Sequence, residues 1–408
     1  MINRTAAAIA ISIVTLILVN FVPAAEQSPS QTKADDLSFY QAPTTTAPYP
    51  LTNAKKVRNV ILCIGDGLGL GQIALASMKA SGPGGRLCME RMPVTGLVRT
   101  YSANSRVTDS AAAGTAMAAG IKTNNGMIAV APDGRPYQTI LEAAKAKGMM
   151  TGLVVTSTIT HATPASFASH VSSRATEAAI ADQLIAHKVN VLFGGGRKYF
   201  LPKSDPNSAR KDDKDLIAEA RQAGYMCVTT ERELGSIRGL YVLGLFQLDS
   251  LTTMAPEPSL AALTREAIQV LRKKNSKPFS AKAGFFLMVE GSQIDFACHE
   301  NDPKRAIRQT LLFDQAVQAA VDFALQDGHT LVIVTADHET GGLAILEGSK
   351  KSPEPTVHWS TKGHTASPVP IAAMGPGATA FAGVQENTDI ARKIARLLGI
   401  KPFPRPVQ

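Results

Sequence analysis

The sequence contains only four cysteines, and no two of them form a CxxC pair, which argues against a structural zinc ribbon. Cys63 lies inside the apolar run Val60–Ile64 and reads as a core residue. Cys88, Cys227 and Cys298 are so widely separated that spacing fixes no disulfide. There is no internal repeat. Beyond the first 25 residues no apolar run is long enough to cross a bilayer. Long runs of one charge are also missing. The net charge of +9 is spread over short clusters such as Lys211 to Lys214 and Arg272 to Lys274, the pattern of a solvated surface, so no specific nucleic-acid partner is expected. A basic surface does attract anions, phosphorylated substrates among them.

At the N-terminus, Arg4 precedes the almost wholly apolar stretch Ala6–Val22, and Val22-Pro23-Ala24 supplies small residues. Residues 1–25 are therefore expected to be a secretory signal peptide cut near Ala24 or Ala25. An uncleaved anchor is the alternative, and only it would bring the chain to a membrane. Removing these residues leaves 41 − 33 = +8. Residues 26–54, rich in Ser, Thr, Pro and Ala, read as an extended tether. Residues 55–408 show no second linker and read as a single domain.

Within that domain, strand-length apolar runs recur at Val60–Ile64, Gly152–Val155, Val189–Phe193, Phe285–Val289, Leu331–Val334 and Ile371–Met374. Amphipathic stretches at Tyr137–Lys147, Thr176–His187, Asp213–Ala223, Ser259–Lys273, Arg305–Gln326 and Thr388–Leu398 read as helices. Continuous apolar strands alternating with helices predict an α/β fold with a largely parallel central sheet and helices on both faces. Ligands of such sheets bind beyond the carboxyl ends of the strands. There the sequence places Gly65-Asp66-Gly67, His161-Ala162-Thr163-Pro164, Glu290 with Asp295 and His299, and Asp337-His338. His364 follows in the loop Thr361–Thr365. A single acid at a strand end is usually a cap or turn former, but several on one edge point to a site. Mixed His and carboxylate donors suit zinc, whereas Asp66, Thr163 and Glu290 offer only oxygen, as magnesium prefers. His170, His187, His329 and His358 read as structural or exposed.

The segment Thr108-Asp109-Ser110 followed by Ala, Ala, Ala, Gly, Thr and Ala predicts a helix with Ser110 in its first turn, where amides and dipole favour an anion. Gly194-Gly195-Gly196-Arg197 has the look of a phosphate loop, but no Gly-Lys-Ser/Thr follows it.

Together, Thr108–Ala112, Gly65–Gly67, His161–Pro164, Val289–Gly291 with Ile294, Asp295 and His299, Thr335–His338 and Gly363–Thr365 resemble the alkaline phosphatases, in order, from about Lys55 to the last helix. The resemblance implies that fold as a three-layer sandwich, and hydrolysis of phosphate monoesters through a phosphoserine on Ser110, best at alkaline pH. It implies one zinc on Asp295, His299 and His364, and a second on Asp66, Asp337 and His338. It implies magnesium on Asp66, Thr163 and Glu290, Arg174 as the phosphate clamp and Asp109 as the residue holding that arginine. His161 and Phe296 fall around these groups. His161 could recruit another divalent metal to the oxygen site, and Phe296 stands where better-known members carry a polar or indole side chain. Cys298 is given no role. An exported location, periplasmic or extracellular, follows from the N-terminal segment, and a homodimer stays open. Competing readings are a phosphodiesterase, phosphonatase or sulfatase of the same superfamily, or an inactive phosphate- or metal-binding surface protein. A sulfatase normally needs Cys/Ser-x-Pro-x-Arg, and Ser110 is followed by Ala-Ala-Ala-Gly.

Overall fold

The computed structural model describes residues 36–51, 56–273, 284–347 and 355–407; the expected signal peptide lies outside them. Ten strands form one sheet in the order β14-β2-β13-β8-β1-β7-β3-β4-β6-β5. In chain order they are β1 (Asn59–Gly65), β2 (Val94–Arg99), β3 (Met150–Thr158), β4 (Val191–Gly195), β5 (Met226–Val228), β6 (Val242–Leu245), β7 (Phe285–Gly291), β8 (Thr330–Thr335), β13 (Val369–Met374) and β14 (Gly383–Glu386). Two small ribbons lie between β8 and β13: β9 (Glu339–Thr340) pairs with β12 (His364–Thr365), and β10 (Leu343–Glu347) with β11 (Thr356–Trp359).

Every neighbouring pair from β8 to β5 is parallel, and only β13 runs against its neighbours β8 and β2. The central strands β1, β3, β7 and β8 are buried along their whole length, as expected where helices cover both faces. On one face, the Pro303–Asp327 helix packs with the Leu260–Leu271 and Leu70–Ser81 helices. On the other, the Ser110–Ala119, Ile140–Ala146, Ala162–Ala168 and Asn387–Leu398 helices pack together. The α/β sandwich expected from the apolar pattern is the observed fold.

Parallel strands finish on one edge, so register decides what meets there. Ile64 of β1 pairs with Glu290 of β7 and Thr335 of β8, and Val155 of β3 pairs with Glu290 from the other side. The residues following β1, β3, β7 and β8 therefore emerge side by side.

Residues 36–51, within the stretch expected as a tether, contain no helix or strand but are docked. The Tyr40 hydroxyl donates to Asp314 Oδ2 at 2.7 Å, the Tyr49 hydroxyl donates to Gln318 Oε1 at 3.1 Å, and Arg91 lies over the Tyr49 ring at 4.2 Å. All four cysteines are free, and none of the described helices is long and apolar enough to cross a membrane.

Candidate active site

Asp109 starts the Ser110–Ala119 helix. Its backbone is extended and its Oδ1 accepts the Ala112 N–H at 2.9 Å, so the carboxylate is a capping group. Ser110 follows in the first turn, 2% exposed, with its Oγ 3.2 Å from His338 Nε2. The helix is buried on all sides, which suits its run of small residues. Gly114 lets it approach the Ala162–Ala168 helix, because a Cβ there would lie 2.8 Å from Ser166 Oγ. That approach brings Thr163 to the Ser110 side of the sheet edge.

The second Asp109 oxygen is shared. Oδ2 accepts the Gly126 N–H at 2.9 Å and Arg174 Nη1 at 3.2 Å, while the Arg174 N–H donates to Gly126 O at 2.8 Å. The Asn125 side chain accepts the Asp109 N–H and donates to Val107 O. The Asn125-Gly126 turn, which sequence reasoning missed, thus holds carboxylate and guanidinium together. Nothing in its spacing from the Thr-Asp-Ser segment marks it. Arg174 Nη2 reaches His161 Nε2 at 3.0 Å. A guanidinium only donates, so His161 accepts there and is neutral; burial, then the Arg174 charge, pushes it down to about 3. The Phe296 ring stands edge-on to His161 at 6.1 Å.

Four carboxylates and three imidazoles fill the remaining edge. His338 Nε2 lies 3.5 Å from Asp66 Oδ1 and 3.2 Å from Asp337 Oδ2. His299 Nε2 lies 3.2 Å from Asp295 Oδ2, one helical turn earlier, and 3.3 Å from His364 Nε2. The His364 ring stacks on that of His338 at 3.5 Å, and its Nδ1 faces Thr108 O at 2.9 Å. Thr163 and Glu290 are fully buried. Donor atoms converge in three groups: Asp295, His338 and His364; Asp66, Asp337 and His338; and Asp66, His161 and Glu290. The expected site residues lie together on this edge, although His299, which approaches Asp295 and His364, is in none of the three groups. Sequence reasoning did not foresee His338 lying between the first two groups, whereas His161 joins Asp66 and Glu290, beside the oxygen site where it was expected. Cys298 is in none of the groups; its Sγ lies 3.7 Å from Gln72 Nε2, behind the site.

The electrostatics of this cluster are unbalanced. Burial, then Asp337 and Asp295, raises the Asp66 carboxyl; burial, then Asp337, pushes Glu290 up to about 8; burial, then Asp295, pushes Asp337 up to about 7. Burial, then His364, holds His338 far below its ordinary range, so it is neutral. Both oxygens of Asp66, both of Glu290, Asp337 Oδ2, Thr163 Oγ1 and His161 Nδ1 are buried without a hydrogen-bond partner. Buried polar atoms are ordinarily paired, and buried charges are paired or coordinate metals. The donor set and its orphaned atoms thus fit divalent cations.

A buried serine at a capped helix start, a braced guanidinium and a cation-ready acidic cluster on one sheet edge fit a hydrolase that handles phosphate. The family model for alkaline phosphatase matches residues 57–355 and 346–400, and the chain belongs to that family. It is 37% identical to alkaline phosphatase 3 of Bacillus subtilis over 85% of this chain and 90% of that protein. It is 33% identical to alkaline phosphatase of Escherichia coli over 85% and 87%. Among solved structures, alkaline phosphatase from the Antarctic bacterium TAB5 superposes with a TM-score of 0.75 at 36% identity, covering 86% of this chain and all of that one. A mutant of the TAB5 enzyme was solved with Mg bound in its M3 site.

Proposed function

We propose that the protein hydrolyses phosphate monoesters through a phosphoserine formed on Ser110, at a centre that takes two zinc ions and one magnesium. The observation that carries this reading is the set of orphaned buried oxygens lying beside a serine hydroxyl and a guanidinium. Asp295, His299 and His364 would hold one zinc, and Asp66, Asp337 and His338 the second. Asp66, Thr163 and Glu290 would hold the magnesium, a site for which the Mg-bound TAB5 mutant is a precedent. The ions would supply Lewis acidity and lower the pKa of the attacking hydroxyl and of water.

The residues of the chain do the rest. The helix N-terminus directs its free amides at the phosphoryl oxygens. His338 Nε2 lies 3.2 Å from Ser110 Oγ, so the serine oxygen stands beside the locus that Asp66, Asp337 and His338 would offer the second ion. Arg174 presents a planar fork to two phosphoryl oxygens, and Asp109 holds the fork. Attack by Ser110 Oγ forms the O–P bond and releases the alcohol. Water then attacks the phosphoserine, restoring the hydroxyl and releasing inorganic phosphate. Phe296 cannot donate a hydrogen bond to phosphate, so Phe296→Lys should lower the inhibition constant of the product. Because recognition rests on the phosphoryl group, we expect broad tolerance of the alcohol and turnover favoured at alkaline pH. An exported location is carried forward from the N-terminal segment, with membrane attachment if that segment is retained, and a homodimer is carried forward as a proposal.

The test is release of nitrophenol from 4-nitrophenyl phosphate by zinc- and magnesium-loaded protein, with the matching sulfate and diester alongside. Monoester turnover that disappears in Ser110→Ala is the expected result; turnover of the diester or sulfate alone would refute the Arg174 clamp.

A further inference from the structure

Thr340 is fully buried and touches each chain segment that brings a donor to the Asp295, His338 and His364 group. Its Oγ1 lies 2.5 Å from Asp295 Oδ1 and 3.2 Å from His338 Nδ1. Its backbone stands opposite His364 in the β9–β12 pairing. Its N–H donates to Gly67 O at 3.2 Å, in the turn that carries Asp66, and its carbonyl accepts Gln72 Nε2 at 2.8 Å. Gly67 has φ +71, and a Cβ on it would lie 2.9 Å from Thr340 Oγ1, so this glycine is what lets the hydroxyl sit so close.

A threonine hydroxyl has one proton. Asp295 is a carboxylate and accepts only, so the contact at 2.5 Å requires that proton to point at Asp295 Oδ1. The contact to His338 then needs the proton on the ring, with Nδ1–H donating to Thr340 Oγ1. That leaves Nε2 with its lone pair free, and Nε2 is the atom facing Ser110 Oγ, Asp66 and Asp337. We propose that Thr340 is a positioning residue that fixes the Nδ1–H tautomer of His338 and the orientation of Asp295 through one hydroxyl, linking the two zinc loci of the proposed site. Neighbouring Glu339 anchors the same strand: it accepts from Gln72 Nε2, from the Gly342 N–H and from the Thr365 hydroxyl beside His364. The inference rests on the metal reading above only for its consequence, not for the tautomer.

The test uses the full chain in three forms: wild type, Thr340→Val, which keeps the branched shape and deletes the hydroxyl, and Thr340→Ser, which restores it. Side-chain nitrogen NMR of metal-free protein labelled at histidine reads the His338 tautomer, and competition with a chromophoric chelator reads zinc affinity. The expected result is Nδ1–H in wild type and Thr340→Ser, loss of that tautomer in Thr340→Val, and zinc binding weakened by about 10- to 100-fold in Thr340→Val alone, the usual range when a ligand's supporting hydrogen bond is removed. The proposal is overturned if Thr340→Val keeps the wild-type tautomer, if it binds zinc as tightly as wild type, or if Thr340→Ser restores neither. Should wild type itself bind no zinc, the metal reading falls, and the tautomer comparison still decides the role of Thr340.

Discussion

Asp109 performs two separable tasks, and substitution can divide them. Replacing it with Ala removes the cap on the Ala112 N–H, a loss of about 1 kcal/mol. It also leaves the Gly126 N–H without its acceptor, about 1–2 kcal/mol more for a half-buried donor. The ion pair with Arg174 adds little to stability, because the two side chains are 30% and 21% exposed and such pairs contribute at most about 1 kcal/mol. Asp109→Ala should therefore destabilise the fold by about 2–4 kcal/mol. Asp109→Asn keeps one oxygen for the Ala112 N–H, but its amide nitrogen cannot accept from the Gly126 N–H or Arg174, so it should cost about 1–3 kcal/mol, less than Ala by the value of the cap. Activity should divide the other way. Both variants release Arg174 from its carboxylate, so both should show a raised KM for 4-nitrophenyl phosphate, by an amount that does not follow their stability. Urea unfolding of the two variants beside wild type, with matched steady-state kinetics, measures both quantities. Equal destabilisation by Asn and Ala, or an unchanged KM in Asp109→Asn, would refute this division of labour.

Chelation by EDTA should lower the thermal midpoint as well as activity, since a ligand at 1,000 times its Kd stabilises by about 4 kcal/mol; restoration by zinc with magnesium, followed by calorimetry, checks it. Asp314, buried under Tyr40 and the Cys88 and Met89 amides, is pushed up to about 6 by burial from its ordinary 3.8. A raised folded pKa contributes stability fully present below about pH 4 and lost as pH rises through 6, at most about 3 kcal/mol; Asp314→Asn should flatten that stretch of a stability–pH curve. Gly114→Val should push the Ser110 and Thr163 helices apart, lowering both stability and kcat, whereas Gly134→Val, with open space around it but a φ of +85 that strains any side chain, should lower stability and leave kcat alone.

The elements that bear ligands were the most legible in the sequence. β1, β3, β7 and β8 are continuous apolar runs because both of their faces are covered, and the segments after them, with Asp66, His161, Asp295 and Asp337, fall on one edge because the strands are parallel. Less legible was the reversal of β13: Ile371–Met374 reads as a strand, but nothing in its composition gives its direction, which is set by pairing with β2 and β8. β2 itself, Val-Thr-Gly-Leu-Val-Arg, mixes buried and exposed positions and gives no strong run. Several observed ends extend past the apolar runs, as where β3 continues to Thr158, because its buried hydroxyl-bearing residues find hydrogen-bond partners, Ser157 in Ser292 and Thr158 in Glu177. The site list was legible through spaced motifs. Asn125, Gly126 and Thr340 were not, since each acts through a backbone group or a single hydroxyl that no motif records.

The order in which donors occur along the chain has a consequence for biogenesis. Asp66 comes early, Glu290, Asp295 and His299 late, and His338 and His364 later still. A growing chain that ends with β8 or earlier completes neither of the first two groups, and one that ends before β12 still lacks His364 of the first. Completion of those two groups is thus confined to the last stage of synthesis, after β8, when only β13 and β14 of the ten-stranded sheet are still to come. A truncated product, however well its early helices form, is born without the centre.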